Sequence, residues 1–138
     1  MSMVETEAIR VKTIDHVTIV VKDIQRSTEF YTKVLGMQQI ERPNFGFPGA
    51  WFQAGNTQIH LVLQSEKSGG AGVGEFDGLD PSLGFHYAFE VDDCGAAAKR
   101  LTELGLQIVV GPRQRPDGAH QVYVYDPDGH LIELCSNP

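Results

Sequence analysis

The clearest pattern along the chain is a pair of short segments in which apolar and polar residues alternate. Residues 16–23 read His-Val-Thr-Ile-Val-Val-Lys-Asp, and residues 86–93 read His-Tyr-Ala-Phe-Glu-Val-Asp-Asp. Such alternation is typical of a β-strand with one buried face. Both segments open with histidine and end in aspartate, and this self-similarity indicates a duplicated unit.

A helical pattern follows each of these strands and ends just before a glycine. The first covers residues 24–35 and the second residues 94–104. Asp23 is a suitable N-cap for the first helix, and Asp92 or Asp93 for the second, because a short carboxylate accepts hydrogen bonds from the free amides of a helix start. Glycine suits the left-handed residue beyond a helix end. The sequence therefore predicts two strand–helix units.

Three further strands are predicted in each half. The closing strands match, since one carries Ile59-His60-Leu61 and the other Ile132-Glu133-Leu134. Gly55-Asn56 and Asp126-Pro127-Asp128-Gly129 supply the turns that lead into them. The predicted additional strands are 37–42, 50–54 and 57–64 in the first half, and 107–111, 120–125 and 130–135 in the second.

This pattern predicts an α+β fold made of two β-α-β-β-β modules. The first module is expected over residues 14–64 and the second over 83–136, with a glycine-rich linker at 65–82. A chain of 138 residues with 41% apolar and 21% charged residues is an ordinary globular size and composition. We therefore expect residues 1–138 to form one domain.

The directions in which the strand side chains point indicate candidate functional residues. Side chains alternate between the faces of a strand, so His16, His60, His86 and Glu133 all fall opposite the apolar face that a helix can cover. A lone strand histidine is more often a hydrogen-bonded residue than a ligand. Four such residues at repeat-equivalent positions favour a divalent metal site on the cavity side of the sheet.

Other residues are expected beside that cavity. Trp51, Gln53, Gln121 and Tyr123 have the parity of its wall, either to contact substrate or simply to pack. Two arginines in an acidic protein, Arg113 and Arg115, could hold a carboxylate or phosphate, or lie on a solvated loop. His120 and His130, at a strand start and in a turn, are expected to be exposed and uninvolved.

Charge and composition narrow the class of partner. The chain has 18 acidic and 11 basic residues, a net charge of −7. That balance argues against nucleic-acid and membrane surfaces, both of which attract basic patches. The two cysteines lie outside any C-x-x-C pattern and are expected to be reduced, which fits the cytoplasm. Residues 1–12 lack the apolar run of a signal peptide, and no apolar stretch reaches membrane-spanning length.

Several short motifs carry a resemblance to a known family. They are Asp15-His16-Val17, Ser27-Thr28-Glu29-Phe30-Tyr31, Leu35-Gly36-Met37, Gly84-Phe85-His86 and the stretch from Asp126 to Leu134. From Ile14 to Ser136 the chain resembles the vicinal oxygen chelate superfamily, which includes glyoxalase I, fosfomycin-resistance proteins, methylmalonyl-CoA epimerase, extradiol dioxygenases and bleomycin-resistance proteins.

The resemblance implies paired modules that form a curved, partly open barrel-like sheet around a metal ion. By motif position the ligands are again His16, His60, His86 and Glu133. Family members of this length usually form homodimers, and the two modules that share one metal can belong to different chains. Glyoxalase I usually has glutamate at the position of His60 and the epimerases have glutamine, so this chain departs from both.

The resemblance also implies a function. We expect a metal-dependent, glyoxalase-like lyase or isomerase that acts on a small oxygen-chelating metabolite through an enolate or alkoxide stabilised by the metal. Glu133 would hold the metal and move a proton, and His60 would act as a fourth ligand or as a base. A thiol transferase of the fosfomycin-resistance type, a ring-cleaving dioxygenase and a non-enzymatic drug- or metabolite-binding protein stay open. So does the ion: zinc, nickel, cobalt, manganese or iron.

Overall fold

A computed structural model describes residues 8–72 and 78–138. Residues 73–77 of the predicted linker and residues 1–7 lie outside the described residues. The strands are β1 (His16–Val21), β2 (Gln38–Ile40), β3 (Gly49–Ala54), β4 (Thr57–Leu63), β5 (Tyr87–Glu90), β6 (Ile108–Gln114), β7 (His120–Tyr125) and β8 (Leu131–Ser136), and the α-helices are α1 (Ile24–Glu29) and α2 (Cys94–Glu103). A π-helical turn (Phe30–Val34) follows α1, and a 3-10 turn (Pro81–Leu83) precedes β5.

The strands form two four-stranded sheets with the same topology. Their orders are β1-β4-β3-β2 and β5-β8-β7-β6. In each sheet the first strand pairs in parallel with the last, and the remaining neighbours are antiparallel. This mixed arrangement, with few helices and no closed barrel, confirms the predicted α+β class and the repeated β-α-β-β-β order. The exact domain boundaries stay a prediction.

Both α-helices begin where a short carboxylate can cap them. Asp23 accepts a hydrogen bond from the Arg26 amide at 3.1 Å, and Asp93 accepts one from the Ala96 amide at 3.0 Å. Each cap satisfies an amide group that has no partner inside the helix. Of the two candidates for the second helix, the structure therefore selects Asp93.

The first helical segment is not α-helical throughout. After Glu29 the backbone widens into the π-helical turn, in which the Leu35 amide donates to the Phe30 carbonyl at 3.1 Å. Two consecutive aromatic residues, Phe30 and Tyr31, are both buried there. The prediction of one continuous helix over 24–35 was therefore correct in extent but missed the change of helix type.

The sixth strand extends beyond its predicted end at Gly111. Its pairing with β7 is irregular on either side of that residue, with register shifts between Ile108 and Val110 and between Val110 and Arg113. Gly111 has a φ of 88°, and a Cβ there would lie 2.6 Å from the Gln121 carbonyl oxygen. The Gly-Pro pair thus marks a bulge rather than a strand end, and pairing resumes to place Arg113 opposite Gln121.

One hydrophobic core joins the two modules. It contains the apolar faces of both sheets together with aromatic residues of the first helical segment and small and aliphatic residues of α2, including Ile19, Phe30, Tyr31, Phe52, Leu61, Ala98, Leu101, Val122, Ile132 and Leu134. Because side chains alternate along a strand, the residues between these members lie on the opposite sides of the two sheets. The candidate ligand faces are therefore turned away from the shared core.

A buried polar link also crosses between the modules. The Tyr31 hydroxyl donates to Asp126 at 2.8 Å, and His130 approaches the same carboxylate at 2.7 Å through Nδ1. His130 is only 4% exposed, so the expectation that it would be exposed was wrong. The turn that contains it folds back onto Asp126, and its ring satisfies a buried acid. His120 is exposed, as expected.

Candidate metal centre

The first pair of candidate ligands lies on adjacent parallel strands. His16 opens β1, and His60 lies in β4, whose backbone pairs with β1 in a register that aligns Thr18 with His60. The two imidazole rings stack with centroids 4.0 Å apart and planes 14° from parallel. Strand pairing therefore brings together two histidines that are 44 residues apart in the sequence numbering.

Each of these rings has one nitrogen held by an oxygen acceptor. Nδ1 of His16 lies 2.7 Å from the Asp15 carboxylate, and Nε2 of His60 lies 2.8 Å from the Gln58 side-chain oxygen. An acceptor oxygen requires a proton on the nitrogen that faces it. In a neutral imidazole the other nitrogen, Nε2 of His16 and Nδ1 of His60, then presents a lone pair. A hydrogen bond of this kind at the second ring nitrogen is typical of metal-binding histidines. Because the two stacked rings are nearly parallel, their in-plane lone pairs do not converge, so joint binding of one ion requires one ring to rotate.

The second pair of candidate ligands comes from the other module. Nδ1 of His86 lies 2.9 Å from the Gly84 carbonyl oxygen, and its Nε2 lies 3.1 Å from Oε1 of Glu133. Since a carbonyl only accepts, the neutral ring directs the lone pair of Nε2 at a carboxylate. Either a second proton or a cation between the two atoms makes that contact favourable. Donors of one transition-metal ion lie about 3.0 Å apart in octahedral and about 3.4 Å apart in tetrahedral geometry when each bond is about 2.1 Å.

Glu133 is buried in a dense polar setting. It is 3% exposed, and it accepts hydrogen bonds from the Tyr123 hydroxyl at 2.8 Å and from Nε2 of Gln121 at 3.1 Å. Nη1 of Arg115 lies 3.6 Å from Oε2 of Glu133, the oxygen that also accepts from Gln121. Burial, and then the hydrogen bond to Glu133, raise the pKa of Tyr123 to about 12. The tyrosine therefore stays protonated and able to donate at neutral pH.

A single chain brings the four candidate ligands together only as two pairs. Over residues 8–72 and 78–138, no group of three or more His, Cys, Asp or Glu side chains has the geometry to hold a metal ion. The pairs are His16 with His60 and His86 with Glu133. This separation agrees with their positions on sheet faces that both turn away from the common core.

Of the predicted wall residues, Trp51, Gln121 and Tyr123 contact members of these pairs. The Trp51 ring stacks on His60 with centroids 4.0 Å apart and planes 5° from parallel, whereas Gln53 is occupied at the β3–β4 turn, where it donates to the Gly55 carbonyl. Arg113 donates to Gln121 at 2.8 Å and to the Ser82 hydroxyl at 3.2 Å. Arg115 is paired with Asp117 as well as Glu133.

Sequence reasoning missed the aromatic loop between β2 and β3. The Phe45 ring lies 5.8 Å from the rings of both Phe47 and Trp51, and the Arg42 guanidinium lies 4.9 Å from the Phe45 centroid. Burial, and then the charges of His16 and Arg42, lower the pKa of His60, with Asp15 opposing them. The available signal was the unusual pair of phenylalanines between two prolines in residues 43–48.

The same architecture defines a known class of protein. The profile of the glyoxalase/bleomycin resistance protein/dioxygenase superfamily matches residues 13–134, and the chain belongs to this superfamily. A glyoxalase family structure from Bacillus anthracis aligns with a TM-score of 0.73 and 26% identity, over 95% of this chain and 99% of that one.

Individual relatives include enzymes of two kinds. The chain is 30% identical to glyoxylase I 4 of Arabidopsis thaliana, over 89% of this chain and 70% of the relative. It is 32% identical to lactoylglutathione lyase of Escherichia coli O157:H7, over 86% and 88%. It is also 28% identical to glutathione transferase FosA of Serratia marcescens, over 89% and 79%. None of the helices within the described ranges is long and apolar enough to cross a membrane.

Proposed function

We propose that this protein is a metal-dependent, glyoxalase-like lyase or isomerase that acts on a small oxygen-chelating metabolite. The proposed ligands are His16, His60, His86 and Glu133. One observation carries the proposal: each of the three histidines has one ring nitrogen held by an oxygen acceptor, so in the neutral ring the other nitrogen carries the lone pair that a metal ion binds. For His86 that nitrogen faces the Glu133 carboxylate, a contact that either a second proton on the ring or a cation between the two atoms makes favourable.

The donor set fits a divalent transition metal. Imidazole nitrogens with one carboxylate suit zinc, nickel, cobalt, manganese and iron. When bound, such an ion supplies Lewis acidity to the oxygens of a chelating substrate. We infer cytoplasmic function on small molecules rather than on nucleic acid or membranes, since the net charge of −7 disfavours both surfaces.

The chain's own residues supply positioning and proton transfer. Glu133 and His60 are the proposed proton carriers, because each lies at the site and neutral imidazole can accept a proton. The lowered pKa of His60 keeps it neutral at physiological pH. Tyr123 and Gln121 fix the Glu133 carboxylate through two hydrogen bonds. The residues proposed to line the substrate side are Trp51, Gln53, Tyr123, Arg113 and Arg115.

We further propose that the complete site forms in a homodimer. Within the described strands, β1 pairs only with β4 and β5 only with β8, so both are edge strands with unpaired backbone on one side. His16 opens the first of these strands, and His86 immediately precedes the second. A two-fold arrangement that brings β1 of one copy against β5 of its partner would join the two ligand pairs.

Complementation between two defective variants tests this assembly. Neither His16→Ala nor His86→Ala alone should hold zinc tightly against a chelator. When the two are co-expressed in equal amounts, half of the dimers are mixed and one site in each mixed dimer is intact, so about one quarter of the wild-type tight zinc should return.

The outcomes of that experiment separate the parts of the proposal. His120→Ala is the matched control, since His120 is exposed on β7 and should leave zinc binding unchanged. Tight zinc in either single variant would reject that ligand. Two defective variants that recover nothing together would reject the shared site.

A second candidate function is thiol transfer to an antibiotic, which the similarity to glutathione transferase FosA favours. The metal-loaded protein should be screened against hemithioacetals, fosfomycin with thiols, and catechols. Turnover of a hemithioacetal that His60→Ala abolishes supports the leading proposal. Turnover of fosfomycin or of a catechol instead supports transferase or dioxygenase activity, and tight binding of a drug without turnover supports a sequestering protein.

A further inference from the structure

Arg42 stands out among the charged residues around the first ligand pair. It lies just after β2, and its guanidinium carbon lies 4.9 Å and 5.0 Å from the ring centroids of Phe45 and Phe47. A cation at this distance from an aromatic face is attracted by the ring's quadrupole. The two rings therefore hold the guanidinium in place without neutralising its charge.

The other arginines around the two sheets have oxygen partners on the chain. Arg26 pairs with Asp128, Arg100 with Glu103, and Arg115 with Asp117, while Arg113 donates to an amide and a hydroxyl oxygen. Within residues 8–72 and 78–138, Arg42 forms no ion pair, and its Nε is buried without a hydrogen-bond partner. A buried donor without an acceptor is costly, and no carboxylate on the described part of the chain neutralises this guanidinium.

The backbone also fits this guanidinium closely. A Cβ on Gly49 would lie 2.8 Å from Nε and 2.9 Å from Cζ of Arg42, so the group lies flat against a residue that has no side chain. Arg42 therefore presents a fixed, unpaired positive charge at the start of the loop between β2 and β3.

The aromatic contacts around Arg42 extend to His60. Phe45 contacts both Phe47 and Trp51, and Trp51 stacks on His60. Phe45 and Phe47 are about half exposed. Between the unpaired cation and the proposed ligand there is consequently an aromatic surface with accessible area, onto which a planar or apolar group can pack.

We propose that Arg42 binds an anionic oxygen group, carboxylate or phosphate, of a substrate whose planar apolar part packs on Phe45 and Trp51. This inference rests on the proposed function, because it places the chelating oxygens of that substrate at the metal. The substrate class becomes a small organic anion with an aromatic or similarly flat body. Guanidinium forms paired hydrogen bonds to such anions, which gives orientation as well as affinity.

Matched catechols test the inference, because their two hydroxyls chelate a metal while a third substituent can be varied. The zinc-loaded protein is titrated by calorimetry with 3,4-dihydroxybenzoate, its neutral amide 3,4-dihydroxybenzamide, and 3,4-dihydroxyphenylphosphonate. We expect at least one anion to bind roughly tenfold or more tightly than the amide. The better of the two anions identifies the group that Arg42 receives.

Two variants assign the preference to Arg42. Arg42→Met should bring anion affinity down to that of the amide and leave amide affinity unchanged, while Arg42→Lys should keep part of the preference. Lys99→Met is the matched control, since it removes one positive charge from an exposed position on α2. Circular dichroism and zinc content of each variant should equal those of the wild type.

The outcomes distinguish this inference from the function on which it rests. Zinc-loaded protein that binds anion and amide equally, or that keeps its preference in Arg42→Met, overturns the role of Arg42 and leaves the proposed function standing. Protein that binds no zinc overturns the proposed function. In that case, titration with benzoate and benzamide tests the anion preference of Arg42 on its own. Equal affinity for the two compounds overturns the role of Arg42.

Discussion

At the residue scale, the proposed metal site depends on hydrogen bonds to the ring nitrogens that the metal would not occupy. The contact between Asp15 and Nδ1 of His16 is between neighbours in the chain, so it favours one His16 tautomer without any tertiary packing. Such partners commonly influence metal affinity nearly as much as the ligands do. Asp15 therefore acts as a positioning residue for His16.

Removing that partner should weaken metal binding without unfolding the protein. We expect Asp15→Ala to lower zinc affinity about tenfold, because the His16 ring loses its preferred tautomer and orientation. Competition with a chromophoric chelator measures the affinity. Glu66→Ala, which removes an exposed acid elsewhere, is the control. Equal affinity in Asp15→Ala and the wild type would contradict the prediction.

The sequence pattern predicted some residues of the candidate site and missed others. Alternation along the strands placed His16 and His60 on one face of their sheet, and the structure brings them into contact. It did not single out Arg42, which the sequence places in the predicted strand 37–42, whereas β2 ends at Ile40 and Arg42 lies on the loop that follows. The orphaned donor and the ring contacts that single it out are tertiary features.

At the scale of elements, the sequence predicted a capped start for α2 but did not decide which of two neighbouring aspartates forms the cap. Asp92 and Asp93 both precede α2, and the structure places Asp93 at the N-cap, with φ −145° and ψ 104° and its carboxylate accepting from the Ala96 amide. The sequence shows a residue type that is suited to an N-cap. Which of the two aspartates forms the cap depends on where the strand ends and the helix begins. The same limit explains the missed π-helical turn, which depends on the packing of Phe30 and Tyr31.

These two aspartates form a matched pair of mutations. Asp93→Ala should destabilise the protein by about 1 kcal/mol, the usual cost of losing an N-cap. Asp92→Ala removes the same charge next door but no capping bond, so its free energy of unfolding should be close to that of the wild type. Urea denaturation followed by circular dichroism measures both, and equal losses would contradict the assignment of the cap.

The link between the first helical segment and the β7–β8 turn can be tested in the same way. Tyr31→Phe removes the only hydroxyl that donates to the buried Asp126 carboxylate from the other module, within the described residues. The expected cost is about 1–3 kcal/mol, because a buried carboxylate loses a donor. Tyr125→Phe is the control, since Tyr125 is 41% exposed. A loss in Tyr31→Phe no larger than in the control would rule out this link.

On the scale of the whole molecule, the duplication was readable from the sequence but the packing of its two copies was not. Each module has an apolar face and an opposite face that bears the candidate ligands. The sequence pattern is the same whether the ligand-bearing faces pair within one chain or between two chains. The structure packs the two apolar faces into one core. Two sheets with separated ligand pairs are the result, and the repeated motif alone carries no information about that choice.

The buried acid at the centre of this packing gives global stability a pH dependence. Burial opposes ionisation of Asp126, but hydrogen bonds and the charge of His130 together lower its pKa below the ordinary value. The unfolded chain therefore binds more protons than the native protein near pH 4. The Asp126 contribution to stability is fully present above about pH 5 and is lost as the pH falls through its folded-state pKa.

Stability measured across that window checks the sign. The urea midpoint should fall steadily from pH 5 to pH 3, and the decline should be shallower in Asp126→Asn, whose side chain does not titrate. Asp92→Asn, which removes an exposed acid, should keep the wild-type slope. If Asp126→Asn does not fold, Tyr31→Phe replaces it, because loss of a donor raises the Asp126 pKa and flattens the same curve. A wild-type slope in the folded variant would refute the assignment.

The stacking of Trp51 on His60 gives the molecule a built-in optical reporter. Trp51 is the chain's sole tryptophan, so all indole emission originates 4.0 Å from one imidazole ring. Any event that withdraws electrons from that ring, such as protonation or coordination, alters the excited state of its neighbour. Near-ultraviolet fluorescence should therefore follow occupation of this position in real time, with no dye or label attached.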